Sequence, residues 1–378
     1  MLTKLSSDLA RTQAESLLLS LSILPNPDKI LNKLGRRIHI LHDLLYDAHV
    51  SATWQSRLAT TASKKLLLET TNVDEHIAAQ AEKWFYDLDH ERIISELLDC
   101  RLFGYQFLEI TWRYENGLFI PCDVIGKPQE WFGFKNNVPY FIRENGSPEE
   151  LLRYKFLLTR NKATFKNPYG QALLSRCYWH VTFKSAMMKY SMIYGERFAI
   201  PWVIESLTQK LDQAGLMNEA DQLKKMVQDA LIVLNPGASI DIKEASSHNN
   251  NPIFQMIYEQ SNHEISKAIL SQTLTTDIGV SGSYAAANVH LSVRSDIGYL
   301  DGRLVINAFD TLLDYFCIVN YGKKIPSLRT QFAKSTEEQR ARSERDKNLK
   351  ALGVEFSRTY FLNNYSLDDS EIKAELSQ

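Results

Sequence analysis

The sequence has few cysteines, and nothing in their spacing gives them a joint role. The four are Cys100, Cys122, Cys177 and Cys317, and no C-x-x-C pair occurs. Structural zinc sites and disulfide frameworks need close or numerous cysteines, so neither is expected. We interpret all four as small buried apolar residues of a protein from a reducing compartment.

An excess of basic residues is also missing. The chain has 43 Lys and Arg against 45 Asp and Glu, a formal net charge of −2. Proteins that grip DNA by its phosphates are normally basic, because each neutralised phosphate releases counterions and adds affinity. The charge balance therefore argues against tight binding to nucleic acid and leaves only light contact or none.

No apolar run has the length needed to cross a membrane. The stretch 17–24 is rich in leucine but ends at Pro25, whereas a spanning helix needs about 20 apolar residues. The first residues also lack the charged start and apolar core of a secretory signal. We therefore expect no membrane partner.

The motifs of the common enzyme classes are absent as well. The sequence contains no P-loop, no Gly-x-Ser-x-Gly, and no His-Glu-x-x-His. Asp89 is best placed to cap a following helix, and Glu109 in mid-strand lacks a neighbouring carboxylate, which favours an ion-paired role. We predict no catalytic residue, no cofactor and no metal. The open alternative is a nucleic-acid enzyme that binds metal through Asp87, Asp89 and Glu109.

What is present is a folded chain with 44% apolar and 23% charged residues. Residues 60–165 alternate helical segments with short strands, and Asn116-Gly117 is a strong hairpin signal. This pattern predicts an α+β region with a small, mostly antiparallel sheet. A charged helix over 335–352 and an acidic stretch over 367–378 follow later in the chain.

Two long helices are predicted to enclose a compact insert. Residues 171–198 form the first, roughly 40 Å long at the α-helical rise, and 252–272 form the second. The insert, 199–251, has the pattern of a small α/β unit, with strands over 199–205, 230–235 and 239–244 and a helix over 207–227. The arrangement suggests a stalk with a tip.

The stretch 273–288 is rich in Gly, Ser and Thr, and Asp277 is its one charged residue. It separates the 252–272 helix from a long helical pattern over 289–321. It is either a surface connection without a binding partner, or a loop whose backbone amides, hydroxyls and Tyr284 contact a polymer weakly without holding it in place.

Several motifs together resemble the Mu-like phage portal proteins. They are Asn-Pro-Asp-Lys-Ile-Leu-Asn-Lys-Leu-Gly-Arg-Arg at 26–37, Asn-Pro-Tyr-Gly-Gln-Ala-Leu-Leu at 167–174, Ile-Ser-Lys-Ala-Ile-Leu-Ser-Gln-Thr-Leu-Thr-Thr-Asp at 265–277 and Gly-Val-Ser-Gly-Ser-Tyr-Ala-Ala at 279–286. They occur in the family's order, and each alone would be weak. After Gly322 few residues resemble the family's motifs, so the resemblance does not extend to the crown-like C-terminal part.

The resemblance implies a mainly helical α+β portal fold built from an α/β wing, two stem helices, a small α/β clip, a tunnel loop, a long helix and a short helical C-terminal region. The implied boundaries are an N-terminal arm at 1–25, the wing at 26–165, stem helices at 166–198 and 252–272, the clip at 199–251, the tunnel loop at 273–288, the long wing helix at 289–321, and a crown-like region or tail at 322–378.

The resemblance also implies a function. It is a dodecameric ring at the unique vertex of a phage or prophage capsid, assembled in the bacterial cytoplasm, through which double-stranded DNA is packaged and ejected. Its partners would be the terminase large subunit, the major capsid protein and head-completion or neck proteins. A head–neck adaptor without a channel is the alternative.

Two sets of residues are expected to meet the DNA. Lys184, Lys189 and Lys267 on the stem helices would make mild contacts, with solvated or intersubunit ion pairs as the alternative. The tunnel-loop set consists of Thr273, Thr275, Thr276, Ser281, Ser283, Tyr284 and Asn288.

Overall fold

The computed structural model describes residues 38–135, 137–143, 146–198, 202–206, 212–215, 239–243, 252–272, 284–333 and 336–357, with single residues outside those ranges. The chain divides into two compact units, and each is described by itself. The first comprises Met1–Ile38, Gln55–Ala172 and Leu291–Gln378, and the second comprises His39–Trp54 and Leu173–His290.

Helices occupy much of the described chain, and two of them continue from one unit into the other. They are α1 His39–Asp43, α2 Ala48–Ala62, α3 Glu75–Phe85, α4 His90–Phe103, α5 Leu173–Phe198, α6 Pro252–Leu270, α7 Tyr284–Tyr321 and α8 Thr336–Ala351.

The strands pair antiparallel, and all but the second and third are short. They are β1 Leu66–Glu69, β2 Tyr105–Glu115, β3 Leu118–Lys127, β4 Phe132–Lys135, β5 Val138–Ile142, β6 Pro148–Glu150, β7 Phe156–Arg160, β8 Trp202–Ser206, β9 Ser239–Lys243 and β10 Arg329–Phe332. The first unit holds sheets of order β3-β2-β7, β4-β5-β6 and β1-β10, and the second holds the β8-β9 pair.

Local sequence signals account for most of these boundaries. Asp74 and Asp89 cap α3 and α4, each accepting a hydrogen bond from a backbone N–H in the first helical turn. Asn116 and Gly117 both have positive φ between β2 and β3, as a two-residue hairpin turn of this kind requires. The Asp89 cap and the Asn116-Gly117 hairpin are therefore confirmed.

An aromatic cluster fills the core between the sheets of the first unit. The rings of Phe107 and Phe132 stack with centroids 4.1 Å apart. Phe134 lies edge-on to Tyr105 and Tyr169, and all five rings are buried. Their contacts hold β2 against β4 and against the turn that precedes α5.

A buried ionic cluster joins three helices of the first unit. The carboxylate of Asp301, on α7, accepts two hydrogen bonds from Arg57 on α2 and one from Arg101 on α4. Arg101 also donates to the side-chain oxygen of Asn161 at 2.7 Å. Asp301 is fully buried, so the two guanidiniums supply the hydrogen bonds that water would otherwise provide.

Two glycines allow backbones to approach closely in the same unit. Gly104 and Gly170 both have positive φ, and a Cβ on Gly170 would lie 2.5 Å from the carbonyl oxygens of Gly104 and Asn161. No other residue fits that position without moving the backbone.

The structure also departs from the sequence-based expectations. Helix α7 begins at Tyr284 instead of 289 because Ala285, Ala286 and Ala287 are strong helix formers. Strands β6 and β10 were not predicted, since three or four residues show little periodicity.

Cys122 is a further correction. It is exposed on β3, whereas the other three cysteines are buried as predicted. It occupies the exposed side of an alternating strand.

The expected 230–235 strand, and nearly all of the 207–227 helix, lie outside the described residues. Within the described part of the chain, no helix is long and apolar enough to cross a membrane.

Candidate nucleic-acid interface

The candidate interface is built on α5 and α6, which pack side by side in the second unit. The Nζ of Lys184 lies 3.0 Å from the side-chain oxygen of Asn262, and the rings of Tyr194 and Phe254 have centroids 6.1 Å apart. The contact further along α5 is made with an earlier residue of α6, so the two helices run antiparallel.

One face of each helix is buried at the seam. Ile265 and Ile269, four residues apart on α6, are fully buried, as are Leu174 and Cys177 on α5. This i, i+3, i+4 spacing places the apolar side chains on one stripe of each helix. Burial of that stripe holds the pair together.

Lys184 lies inside this unit, away from solvent. Only 5% of the residue is exposed, and its Nζ lies 2.5 Å from the Oδ2 of Asp47. The ring of Tyr258 lies under the same ammonium, 5.2 Å away. Three groups of its own chain therefore surround the cation.

Asp47 has a second role besides pairing with Lys184. Its Oδ1 accepts hydrogen bonds of 3.0 Å from the N–H groups of His49 and Val50, at the start of α2. One carboxylate thus caps α2 and neutralises Lys184 on α5. The ring of His49 continues the connection with a 2.7 Å hydrogen bond to Ser266 on α6.

The other two lysines of the predicted set are accessible. Lys189 is exposed on α5. Lys267 is half-exposed and pairs with Glu264 at 2.8 Å. The hydrogen bond from Lys267 is the main reason that the pKa of the Glu264 carboxyl is lowered. Of the three predicted lysines, these two present charge at the surface of the helix pair.

The predicted tunnel-loop residues are divided by the start of α7. Thr273, Thr275, Thr276, Ser281 and Ser283 lie outside the described residues. Tyr284 and Asn288 belong to the first turns of α7, which begins earlier than predicted.

A stripe of large apolar side chains runs along α5 opposite the seam. Trp179, Phe183, Tyr190 and Ile193 are each more than a third exposed, and their spacing places them on one side of the helix. The rings of Trp179 and Phe183 stack, with centroids 5.9 Å apart. We call these four residues the α5 stripe.

The carboxylates considered for metal binding have structural partners. Glu109 pairs with Lys127 at 3.0 Å and with Lys155 at 3.2 Å, which confirms its ion-paired interpretation. Burial by itself would raise the pKa of Glu109, but the hydrogen bonds and the positive charges of the two lysines together lower it. No group of three or more His, Cys, Asp or Glu suited to a metal ion occurs among the described residues.

Sequence reasoning missed the partners of Lys184. A signal for Asp47 existed, because an aspartate directly before a helix is a common cap. Its ion pair with Lys184 joins positions 137 apart in sequence, and no local pattern encodes such a contact.

The sequence and the fold both match known proteins. Residues 38–367 match the family model described as the portal protein of Mu bacteriophage. The chain belongs to this family. The expected resemblance to the Mu-like portal proteins is thereby confirmed.

One curated relative of this portal family member is the portal protein of Escherichia phage Mu. The two are 24% identical over 255 residues, which cover 66% of this chain and 48% of that protein. The chain therefore spans about half the length of this relative.

Two solved structures share the fold. A chain of the virion of the native gene transfer agent particle aligns with a TM-score of 0.59 at 12% identity, covering 87% of this chain and 93% of the other. A chain of the neck of the native particle, computed with C12 symmetry, aligns with a TM-score of 0.54 at 12% identity, covering 85% and 89%. The predicted mainly helical α+β portal fold is confirmed.

Proposed function

We propose that the protein is a portal subunit of a tailed phage or prophage. Copies of it form a ring at one capsid vertex, and double-stranded DNA passes through the ring during packaging and ejection. The observation that carries the proposal is the match to the Mu portal family over residues 38–367.

The α5 stripe supports a ring. Four large apolar side chains on one helix face are exposed in the isolated chain, and contiguous apolar surface of this kind usually meets a partner. A neighbouring copy that covers the stripe of one subunit with a different face would give a head-to-tail contact that closes into a ring. Twelve subunits are the proposed number, since the structural relative from the gene transfer agent neck was computed with C12 symmetry.

We assign contact with DNA to the 273–283 stretch and to the exposed lysines Lys189 and Lys267. The stretch is rich in Gly, Ser and Thr and has a single acid, Asp277. Sliding DNA needs weak contact, because phosphate contacts repeated around a ring would multiply affinity. Lys184 has a different proposed role, which is to hold α5 against Asp47 and α6.

The remaining partners follow from a portal's position. The terminase large subunit and later the head-completion or neck proteins dock on the 199–251 insert, and the major capsid protein surrounds the ring. The subunit acts by structure and not by catalysis. Incubation with duplex DNA and Mg²⁺ tests that last point, and cleavage that Asp89→Ala abolishes would overturn it.

Electron microscopy of the purified full chain tests the ring itself. We expect rings with a central hole at several salt concentrations. Particles without a hole under all conditions would contradict the portal function and favour an adaptor. A variant in which residues 281–283 are replaced by alanines checks the loop: rings should persist while DNA packaging falls. Loss of the rings in that variant would show that the stretch is needed for assembly instead.

A further inference from the structure

A pocket of about 370 Å³ opens on the surface of the second unit. Its walls are formed by α5, by Tyr258 on α6, and by the 43–48 stretch between α1 and α2. Val181 and Met188 stand at the two ends of the α5 wall. All of these residues belong to the second unit. We call it the Tyr46 pocket.

Large apolar side chains at the pocket are open to solvent. Tyr46 is 90% exposed and Met188 is 54% exposed. A tyrosine ring offers a large contact area, and the flexible thioether of methionine adapts to the shape of a partner. Side chains of this kind, exposed together around a concave surface, are typical of a site that another molecule covers.

The pocket has room for aromatic side chains. A cavity of about 150 Å³ accommodates a benzene molecule, and this pocket is more than twice as large. Its α5 wall, from Val181 to Met188, extends over seven residues, or roughly 10 Å of helix. Phe183 and Tyr190 of the α5 stripe are also seven residues apart. Two rings on one helix face therefore match the length of the pocket.

The pocket and the α5 stripe lie on opposite sides of one helix. At about 100° per residue, Val181, Ser185 and Met188 point to one side, and Phe183 and Tyr190 point roughly 180° away. A head-to-tail contact needs two different surfaces on opposite sides of the subunit, and a ring of twelve departs from a straight row by only about 30° at each contact. A two-fold dimer would instead bring identical surfaces together.

The charges of the two surfaces are complementary. Lys184 and Asp47 line the pocket but pair with each other, which leaves the exposed Asp43 as its uncompensated charge. The Asp43 side chain makes no capping hydrogen bond to the turn that follows it. On the other surface, the exposed Lys189 lies four residues before Ile193 of the stripe, on the same side of the helix.

Opposite charges on two surfaces guide their approach and orientation. Attraction of this kind acts over a distance and needs no direct ion pair, so it is compatible with the contact between Lys189 and DNA proposed above.

We propose that the Tyr46 pocket of each subunit receives the α5 stripe of its neighbour, with Phe183 and Tyr190 packed against Tyr46 and Met188. The proposal rests on the portal ring proposed above and names the surface that covers the stripe. The occupant is a second copy of this chain because the matching length, shape and charge occur on the chain itself. In a closed ring every stripe and every pocket is then covered.

Cross-linking between copies tests the contact. Ala48 lines the pocket, and Ala186 lies between Phe183 and Tyr190 on the stripe side of α5, so a cysteine at either position keeps the proposed contact residues. The background is Cys122→Ser, which removes the exposed native thiol. With a short bismaleimide, A48C/A186C should form covalent oligomers up to the full ring.

The single variants A48C and A186C are the matched controls. Both should stay monomeric on denaturing gels, because a head-to-tail contact brings no position close to its own equivalent in the neighbour. Electron microscopy of the same samples separates two failures. Rings without cross-links in A48C/A186C, or equal cross-linking in a single variant, would overturn the pocket contact alone. Absence of both rings and cross-links would contradict the portal function and the pocket contact with it.

A bulky side chain in the pocket tests the same contact without a reagent. Ser185 is exposed and lines the pocket, so Ser185→Trp fills it without crowding the buried seam. The protein concentration that brings half of the subunits into rings should rise at least about tenfold, because the neighbour's rings lose their burial. Ser185→Ala is the control and should assemble normally. Normal assembly of Ser185→Trp, with unchanged circular dichroism, would overturn the proposal.

Discussion

The carboxylate of Asp301 lies 2.7 Å from the Nε of Arg57 and is completely buried, although the two residues are 244 positions apart. A charge without access to water is tolerable only when its partners are fixed in place. This pair, with Arg101, therefore makes the packing of α2, α4 and α7 depend on one side chain.

Asp301→Ala should destabilise the fold strongly. It leaves two arginines beside each other without their shared anion, and breaking a buried ion pair typically costs about 3–5 kcal/mol. Urea unfolding measures the loss. Asp296→Ala, an exposed aspartate on the same helix, is the control and should change stability by about 0.5 kcal/mol or less. Equal effects of the two substitutions would show that the cluster does not stabilise the fold.

Lys184→Met and Lys189→Met should separate a structural lysine from a surface one. The first leaves Asp47 without its cation in a site where little of either side chain is exposed, and should cost about 3 kcal/mol or more. The second should leave the unfolding free energy unchanged and make DNA association less salt-dependent. Adding Asp47→Asn to Lys184→Met should restore part of the lost stability. An unchanged melting temperature in Lys184→Met, together with weaker DNA contact, would show that Lys184 contacts DNA in the channel, as the sequence predicted.

Asp99 should make stability depend on pH. Burial, aided by the nearby charge of Glu96, raises the pKa of Asp99 to about 7 from 3.8. Between these two pH values the folded state holds a proton that the unfolded state releases. The stability that depends on protonated Asp99 is therefore fully present below about pH 4 and is lost as pH rises towards 7.

Asp99→Asn cannot ionise and should lose this dependence. Relative to the unmodified chain, the variant should gain stability between pH 4 and 7 and keep a constant advantage above about pH 7. Melting temperatures across that range measure the difference, with the exposed Asp87→Asn as control. Parallel curves for Asp99→Asn and the unmodified chain would refute the raised pKa.

Trp179→Ala with Phe183→Ala should weaken the ring without unfolding the subunit. Both side chains are exposed on the α5 stripe of a single copy, so their removal opens no cavity in the isolated chain. Burying each in an interface contributes about 1.5–3 kcal/mol. Analytical ultracentrifugation should show smaller species at micromolar concentration, with unchanged circular dichroism. Tyr114→Ala, which removes an even more exposed aromatic from the first unit, is the control. Intact rings in the double variant would place the subunit contact elsewhere.

Most elements of the fold were predictable because their signals are local. Asp74 and Asp89 start helices where caps are expected, and Asn116-Gly117 turns the hairpin. Boundaries failed where two local signals compete: Ser283 ends a Gly- and Ser-rich stretch, yet the three alanines after Tyr284 already favour helix. Strand β10 went unnoticed because its four residues gain order only by pairing with β1.

The candidate site was predictable in part. The two long helices and the unusual composition of 273–288 are visible in the sequence, and so are the lysines on those helices. The sequence does not show which of these lysines is accessible, because Lys184 and Lys189 have the same chemistry and lie on the same helix. Their difference comes from Asp47 and Asn262, which approach one position and not the other.

By itself, the sequence determined the mainly helical α+β class, most elements and the resemblance to the portal family, because periodicity, caps and motifs act over a few residues. Only the tertiary structure decided which charges are buried and paired and which face of α5 is uncovered. These properties depend on side chains that are distant in sequence and meet only when the chain has folded.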